Sequence, residues 1–196
     1  LMKTEISDKL KDGYHALMLS YASGLLDEAH NLIVSTHIAM SETGFNIVRH
    51  YESLGGSLLE NECTPVEMRS NSLDSVLSQL DDRTIEVVEV AHSCFPDDLD
   101  VPSVLMQTLA SQKKKPKWAH LYPGLQTFEM DLNCKESKAR FLKAKPALKT
   151  PHHSHGGTEI TLVLDGAFSD ETGEYKIGDL IVTDESFIHQ PVACPE

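Results

Sequence analysis

Hydrophobic residues in the first eighty positions recur at helical spacing. Leu17, Leu19 and Tyr21 precede Ser23-Gly24, and this glycine predicts the end of a first helix. A second helix is predicted to open at Asp27-Glu28, where acidic side chains suit the positive end of the helix dipole. Its apolar face follows the i, i+3, i+4, i+7 pattern through Ala29, Leu32, Ile33, Thr36, His37 and Met40.

Two more helices are predicted before residue 81. Ser41-Glu-Thr-Gly44 interrupts the chain, and one apolar face then continues from Phe45 through Val48 as far as Gly55-Gly56. Ser72–Leu80 forms a short fourth helix. Four short helices with limited apolar faces are marginally stable in isolation. We therefore expect them to gain stability by wrapping a partner or by closing around a metal.

The hydrophobic pattern changes after about residue 118. Short runs rich in β-branched residues alternate with Gly, Asp and Pro, which is typical of antiparallel strands. Residues 139–146 read as a strand, and residues 158–166 as a strand that ends in a glycine turn. Residues 175–189 contain a turn at Gly178-Asp179, a strand, a second turn and a histidine.

The chain is acidic along its whole length. Its 196 residues hold 17 Lys+Arg and 30 Asp+Glu, a net charge of −13. Residues 1–83 hold 6 basic and 13 acidic side chains, and the remainder holds 11 and 17. Direct binding to nucleic acid phosphates is therefore opposed electrostatically, whereas a basic protein partner suits this surface.

The cysteines and the lack of long apolar runs indicate a cytoplasmic protein. Cys63, Cys94, Cys134 and Cys194 form no C-x-x-C pair and are too few for a small secreted scaffold, so we expect reduced thiols. No apolar run approaches the length of a membrane span, and no signal peptide is visible. We expect a soluble protein without a membrane partner.

A histidine-rich segment near residue 150 holds the candidate chemistry. His153 and His155 are one residue apart and share a face of an extended segment. Glu159 reaches the same point if the chain kinks at Gly156-Gly157, and His189 completes the set. Three imidazoles and a carboxylate suit one divalent metal, zinc first, with manganese or iron as alternatives. A solvated histidine-rich turn is the competing interpretation, which four spaced ligands flanked by strands disfavour.

The spacing of these residues resembles the two-part motif of cupins. The first part is His153-x-His155-x3-Glu159-x6-Gly166, and the second is Gly178-Asp179 followed by His189. The chain departs from the general pattern at three places: the motif's leading glycine is Ala147, and the usual Pro and Gly before the last histidine are Asp184 and Ser186. His152, next to His153, must point to the opposite side and is left out of the ligand set.

The helical half carries a second resemblance. Tyr21-Ala-x-Gly24-x-Leu-x-Glu28-Ala29, followed by Thr36-His37, resembles the zinc-binding anti-sigma domain of bacterial regulators of ECF sigma factors. That domain followed by a cupin is the arrangement of ChrR-type anti-sigma factors. Further segments fit that family: 55–60, 75–81, 166–172 and 189–193.

The resemblance implies both a fold class and a domain division. The fold is α + β with two domains, a small all-α domain over residues 1–83 and a β-sandwich (jelly-roll) cupin over residues 84–196. A complete barrel needs one or two strands beyond Glu196, so we expect the cupin's C-terminal strands to be incomplete.

The function that the resemblance implies is that of an anti-sigma factor, not an enzyme. Residues 1–83 would clamp an ECF sigma factor and hide its RNA-polymerase-binding surface. The cupin, with one metal at His153, His155, Glu159 and His189, would respond to an oxidative signal and release the clamp. In this family the signal is singlet oxygen or organic peroxide.

One departure concerns the zinc site of the anti-sigma domain. Its signature is His-x3-Cys-x2-Cys with another histidine upstream, but counting from His37 the cysteine positions are Ser41 and Gly44. Neither residue replaces a thiolate on Zn²⁺, and His15 is offset from the upstream position. We therefore predict no N-terminal zinc, a His37 that is bonded to a neighbour, and helices held by apolar packing.

Two alternatives stay open from the sequence. A cupin enzyme of the dioxygenase or isomerase type could use the same ligands, with the helices as an oligomerisation appendage. Against it, the sequence shows no second set of residues that supplies an acid, a base or a substrate clamp. The lost cysteines also permit a regulator that no longer holds a sigma factor and reports to another partner.

Overall fold

Helices come first in the structure and antiparallel strands follow. The computed structural model describes residues 2–80, 101–112 and 117–195. Within them lie five helices: α1 (Met2–Ala22), α2 (Glu28–Met40), α3 (Glu42–Glu62), α4 (Ser72–Leu80) and α5 (Ser103–Ala110). The strands are β1 (Ala119–Tyr122), β2 (Leu125–Glu129), β3 (Arg140–Ala144), β4 (Glu159–Leu162), β5 (Ala167–Ser169), β6 (Glu174–Lys176), β7 (Leu180–Thr183) and β8 (Val192–Ala193). The predicted fold class is confirmed.

The break between the second and third helices is narrower than the sequence predicted. Ser41 alone is extended, and it ends α2 and caps α3, where its Oγ accepts a hydrogen bond from the Gly44 N–H at 3.2 Å. Gly44 is therefore part of α3 and not of a loop. The helix also continues through Gly55-Gly56 to Glu62, because a helical glycine costs only about 1 kcal/mol relative to alanine.

Helix α5 lies in the half that was predicted to be all β. With eight residues it is too short for a convincing helical period, yet it supplies half of a core cluster that also contains α2 and β2. The buried members of this cluster are Leu32, Leu105, Met106, Leu109, Phe128 and Met130. The predicted domain boundary at residue 83 falls within residues 81–100, outside the described residues, and stays a prediction.

The eight strands form three antiparallel sheets. Their orders are β1-β2-β3, β4-β7 and β6-β5-β8. In the β4-β7 pair the register runs from Glu159 opposite Thr183 to Leu162 opposite Leu180. This two-stranded ladder positions the candidate site, because β4 begins with one of the predicted ligands.

The helices pack against the β4-β7 ladder. A second core cluster is formed by the buried residues Leu17, Met18, Val34 and Val48 of α1, α2 and α3. Ile160 of β4 and Leu180 and Val182 of β7 pack against it. The helical part and the ladder therefore share one core. None of the helices described combines the length and the apolar character that crossing a bilayer requires.

Candidate metal centre

Main-chain pairing brings two of the predicted ligands opposite each other. The N–H of His153 donates to the carbonyl of His189, and the N–H of His189 donates to the carbonyl of His153, each at 3.1 Å. Residues that exchange both bonds in this way present their side chains on one face. His155, two residues further along an extended chain, shares that face. Bends at Gly156 and Gly157 then turn the chain into β4, which starts at Glu159.

The four predicted ligands meet at this point. One ring nitrogen each from His153, His155 and His189 lie within 4.8 Å of one another. The Nε2 atoms of His155 and His189 are 3.2 Å apart. Glu159 is placed against two of the three rings, with its Oε2 2.7 Å from His155 Nε2 and 3.8 Å from His189 Nε2. That these four residues bind a metal stays a prediction, and their proximity is consistent with it.

Two of the imidazoles are fixed by hydrogen bonds at their other nitrogen. His153 Nδ1 lies 2.9 Å from the carbonyl of Pro151, and His189 Nδ1 lies 3.3 Å from Oδ2 of Asp170. A carbonyl and a carboxylate only accept, so Nδ1 carries the proton on both rings and Nε2 carries the lone pair. By the same argument the carboxylate of Glu159 accepts from Nε2 of His155. This donor set of imidazole nitrogens and a carboxylate oxygen fits a divalent first-row metal.

The electrostatic surroundings favour a neutral His155. Burial lowers the pKa of this ring, the charge of Glu159 raises it, and the neighbouring His153 and His189 lower it again. The net direction is downward, so the ring is held in the neutral form that binds a metal. The His189 side chain is more deeply buried, with 8% of its surface exposed.

Other residues near the centre face elsewhere. The His152 side chain is 63% exposed, and its Nδ1 lies 3.6 Å from Glu171; its exclusion from the ligand set stays a prediction. Cys194 is a half-buried free thiol. Ala147 has a φ of 60°, a left-handed conformation that favours glycine, the residue of the cupin motif at this position. Asp170, which the sequence did not single out, is the carboxylate nearest to the far side of His189.

A second buried histidine joins the helices to the β-ladder. His37, 3% exposed, bonds through Nδ1 to the carbonyl of Gly178 and through Nε2 to the hydroxyl of Tyr14, each at 2.8 Å. Because the carbonyl only accepts, Nδ1 donates and the Tyr14 hydroxyl donates to Nε2. The predicted bonding of His37 to a neighbour is confirmed. Its partner on α1 is Tyr14, whereas His15 bonds the hydroxyl of Tyr51.

Gly44 and Gly178 make this arrangement possible. A Cβ on Gly44 would lie 2.5 Å from His37 Nε2, so the ring occupies the space of the missing side chain. Gly178 has a φ of +88°, which favours glycine, and its carbonyl turns toward α2. Burial lowers the pKa of His37, although the Gly178 carbonyl and the charge of Asp179 act in the opposite direction. The ring is therefore neutral near pH 7.

Comparisons with known proteins agree with both halves of the fold. Residues 106–196 match the model of a ChrR cupin-like domain. The chain is 35% identical over 178 residues to the anti-sigma-E factor ChrR of Cereibacter sphaeroides, covering 91% of this chain and 81% of that protein. A chain in the crystal structure of Rhodobacter sphaeroides SigE in complex with the anti-sigma ChrR superimposes with a TM-score of 0.73. That match has 32% identity and covers 93% of this chain and 91% of that one.

Proposed function

This chain belongs to the ChrR family of anti-sigma factors, and we propose that it binds an ECF sigma factor through its helices and keeps it from RNA polymerase. The likeness covers nine-tenths of the chain, both the helices and the strands. It supports a regulatory role and not an enzyme. We infer a cytoplasmic location, because a sigma factor acts together with RNA polymerase in that compartment. The division into a helical domain over residues 1–83 and a cupin over 84–196 is part of this proposal.

The observation that carries the proposal is an exposed apolar surface on α3 and α4. No residue of α4 is buried. Large apolar side chains on the second half of α3 and along α4 are about half exposed or more, and we call them the clamp face: Leu54, Leu58, Leu59, Leu73, Val76, Leu77 and Leu80. Unpartnered apolar stripes at helical spacing are typical of surfaces that bind another protein. The acidic excess of residues 1–83 adds a preference for a basic partner.

We propose further that one divalent metal is bound by His153, His155, Glu159 and His189. Zinc is the preferred candidate. The support is the donor set itself, since ring nitrogens of the three histidines lie within 4.8 Å of one another and a carboxylate oxygen of Glu159 lies 2.7 Å from His155 Nε2. A bound ion would cross-link the segment before β4 to the segment after β7. The chain's own residues supply the ligand orientation through the bonds to Pro151 and Asp170.

The β4-β7 ladder offers a physical route from this centre to the helices. Glu159 lies at one end of the ladder, and Gly178, which accepts from His37, precedes β7 near the other end. Between them Ile160 and Val182 pack on the helical core. We infer that an oxidative signal, singlet oxygen or an organic peroxide, damages a ligand, loosens the ladder and weakens the clamp.

Co-expression tests the sigma-factor proposal. Each ECF sigma factor of the source genome is produced with the tagged full chain, and retention after affinity purification is measured. We expect one of them to be retained, and the double variant Leu77→Asp, Leu80→Asp to reduce retention at least about tenfold, because buried anchors dominate such interfaces. Leu25→Asp, at a side chain that is 78% exposed and outside the clamp face, is the matched control.

Two results would count against this proposal. Failure of every ECF sigma factor to be retained by the wild-type chain contradicts anti-sigma activity. Equal retention by the clamp-face variant and by Leu25→Asp contradicts the assigned surface.

The oxidative part of the proposal is tested on the purified complex. Illumination with a singlet-oxygen sensitiser or addition of an organic peroxide should release the sigma factor. Unchanged retention of the sigma factor after both treatments would contradict the oxidative signal but not the binding of the sigma factor.

A further inference from the structure

We propose that Asp170 is a positioning residue of the metal centre, whose buried carboxylate fixes the ring orientation and the tautomer of His189. This inference rests on the proposed metal site, although its first readout does not need the metal. Asp170 follows β5 and lies nineteen positions before His189 along the chain. Its side chain is only 2% exposed, so water does not compete for its oxygens.

The β5-β6 turn holds one oxygen of this carboxylate. Oδ1 accepts from the N–H of Thr172 at 2.8 Å and from its hydroxyl at 2.5 Å, and the N–H of Gly173 lies 3.4 Å away. The N–H of Asp170 donates to the carbonyl of Gly173 at 2.9 Å, which closes the turn. Since Oδ1 is fully engaged by its own turn, the direction of Oδ2 is set by the backbone.

The other oxygen, Oδ2, faces the side of the His189 ring that points away from the metal centre. Oδ2 lies 3.3 Å from Nδ1 of His189, the ring nitrogen that faces away from His155 and Glu159. Asp170 therefore does not join the ligands. Its charge keeps the proton on Nδ1 and makes Nε2 a stronger donor, as outer carboxylates do for metal-bound histidines. His153 has only a neutral carbonyl, that of Pro151, in the same role.

The adjacent residue provides a matched control. Glu171 also contacts this segment, but through the main chain: its Oε2 accepts from the N–H of Gln190 at 3.0 Å. Its Oε1 faces His152, which is outside the ligand set. The two neighbours thus carry the same charge in the same turn, but of these two only Asp170 has a hydrogen bond to the ring of His189 among the contacts described.

The experiment compares Asp170→Asn with Glu171→Gln in the full chain. In Asp170→Asn, Oδ1 still accepts from Thr172, so the amide nitrogen faces Nδ1 and donates to it. The proton then moves to Nε2, and that nitrogen can no longer bind a metal. Zinc affinity is measured by competition with a chelator, and the tautomer of His189 by ¹⁵N NMR of the metal-free protein.

We expect the metal-free wild type and Glu171→Gln to show the Nδ1–H tautomer, and Asp170→Asn to show the Nε2–H tautomer. Zinc affinity should fall about 10- to 100-fold in Asp170→Asn and stay within a few-fold of wild type in Glu171→Gln. A wild-type His189 in the Nε2–H form overturns the proposal, even if the Asn variant does not fold. So do equal affinities for Asp170→Asn and wild type, or equal losses in both variants. A wild type without zinc affinity but with the Nδ1–H tautomer refutes the metal site and not the positioning by Asp170.

Discussion

Replacing Gly44 by alanine tests the junction between the helices and the β-ladder. Gly44 lies in the first turn of α3, a place where alanine normally stabilises a helix. Here the added Cβ would meet His37 Nε2 at 2.5 Å and Cδ2 at 2.8 Å. The ring must therefore move by roughly 1 Å to restore an ordinary contact of 3.4 Å.

The size of the effect follows from what that movement breaks. The ring has a hydrogen bond on each nitrogen, to Tyr14 and to Gly178, both 2.8 Å long. Losing each bond costs about 1 kcal/mol, and a buried polar group left without a partner adds roughly 1 kcal/mol or more. The better helix propensity of alanine offsets this loss by about 1 kcal/mol. We expect Gly44→Ala to lower the free energy of unfolding by about 2 kcal/mol.

Gly55 in the same helix is the matched control. Nothing lies within 4 Å of a Cβ placed there, so Gly55→Ala should raise the free energy of unfolding by about 1 kcal/mol. Urea unfolding of the metal-free full chain, followed by far-UV circular dichroism, gives both values. In a His37→Ala background the ring is gone, and Gly44→Ala should then stabilise the protein like the control.

The reasoning is refuted if Gly44→Ala stabilises the wild-type chain as much as Gly55→Ala does. That result would mean that the His37 ring moves freely and that its two hydrogen bonds do not tie α2 to the ladder. Persistent destabilisation by Gly44→Ala in the His37→Ala background would refute it as well, because the penalty would then come from another neighbour.

Two further predictions concern metal content and pH. Elemental analysis of the purified chain should give one divalent metal per molecule. His155→Ala should abolish it, while the exposed His152→Ala should not. Two metals per chain would contradict our prediction that the helical half holds no zinc. The pKa of His37 is lowered in the folded protein, so the unfolded chain takes up its proton first. The free energy of unfolding should therefore fall as the pH drops below about 6.5, by at most ~1.4 kcal/mol per pH unit from this residue. In urea titrations between pH 5 and 7.5, the free energy of unfolding of His37→Asn should fall less steeply with decreasing pH than that of the wild type. Equal pH dependence in the two proteins would contradict this assignment to His37.

Local spacing was enough to predict that His153, His155 and Glu159 meet, whereas His189 was predicted from the resemblance to the second part of the cupin motif. The alternation that puts His153 and His155 on one face, and the flexible glycine pair before Glu159, are properties of seven consecutive residues. The helices up to Leu80 were predictable for the same reason, since each carries its own apolar period or its own cap. Errors arose where a signal was ambiguous, as at Gly44, which reads as a breaker but lies in a helix.

Contacts between distant segments could not be read from the sequence. Asp170 reaches His189 only because a hairpin turn and a later loop fold together, and no pattern connects the two positions. The partner of His37 on the ladder, Gly178, lies 141 residues away. Helix α5 is short and is defined by the core that it completes, so tertiary packing and not propensity determines it. These contacts are visible only in the three-dimensional structure.

The exchange of two main-chain hydrogen bonds between His153 and His189 has a practical consequence. Those bonds belong to the peptide groups, so alanine at either position leaves both N–H donors and both carbonyl acceptors in place. Alanine at either position therefore deletes an imidazole without releasing the segment that bears it. Any change in sigma-factor retention caused by such a variant can be attributed to lost ligand chemistry and not to collapse of the loop.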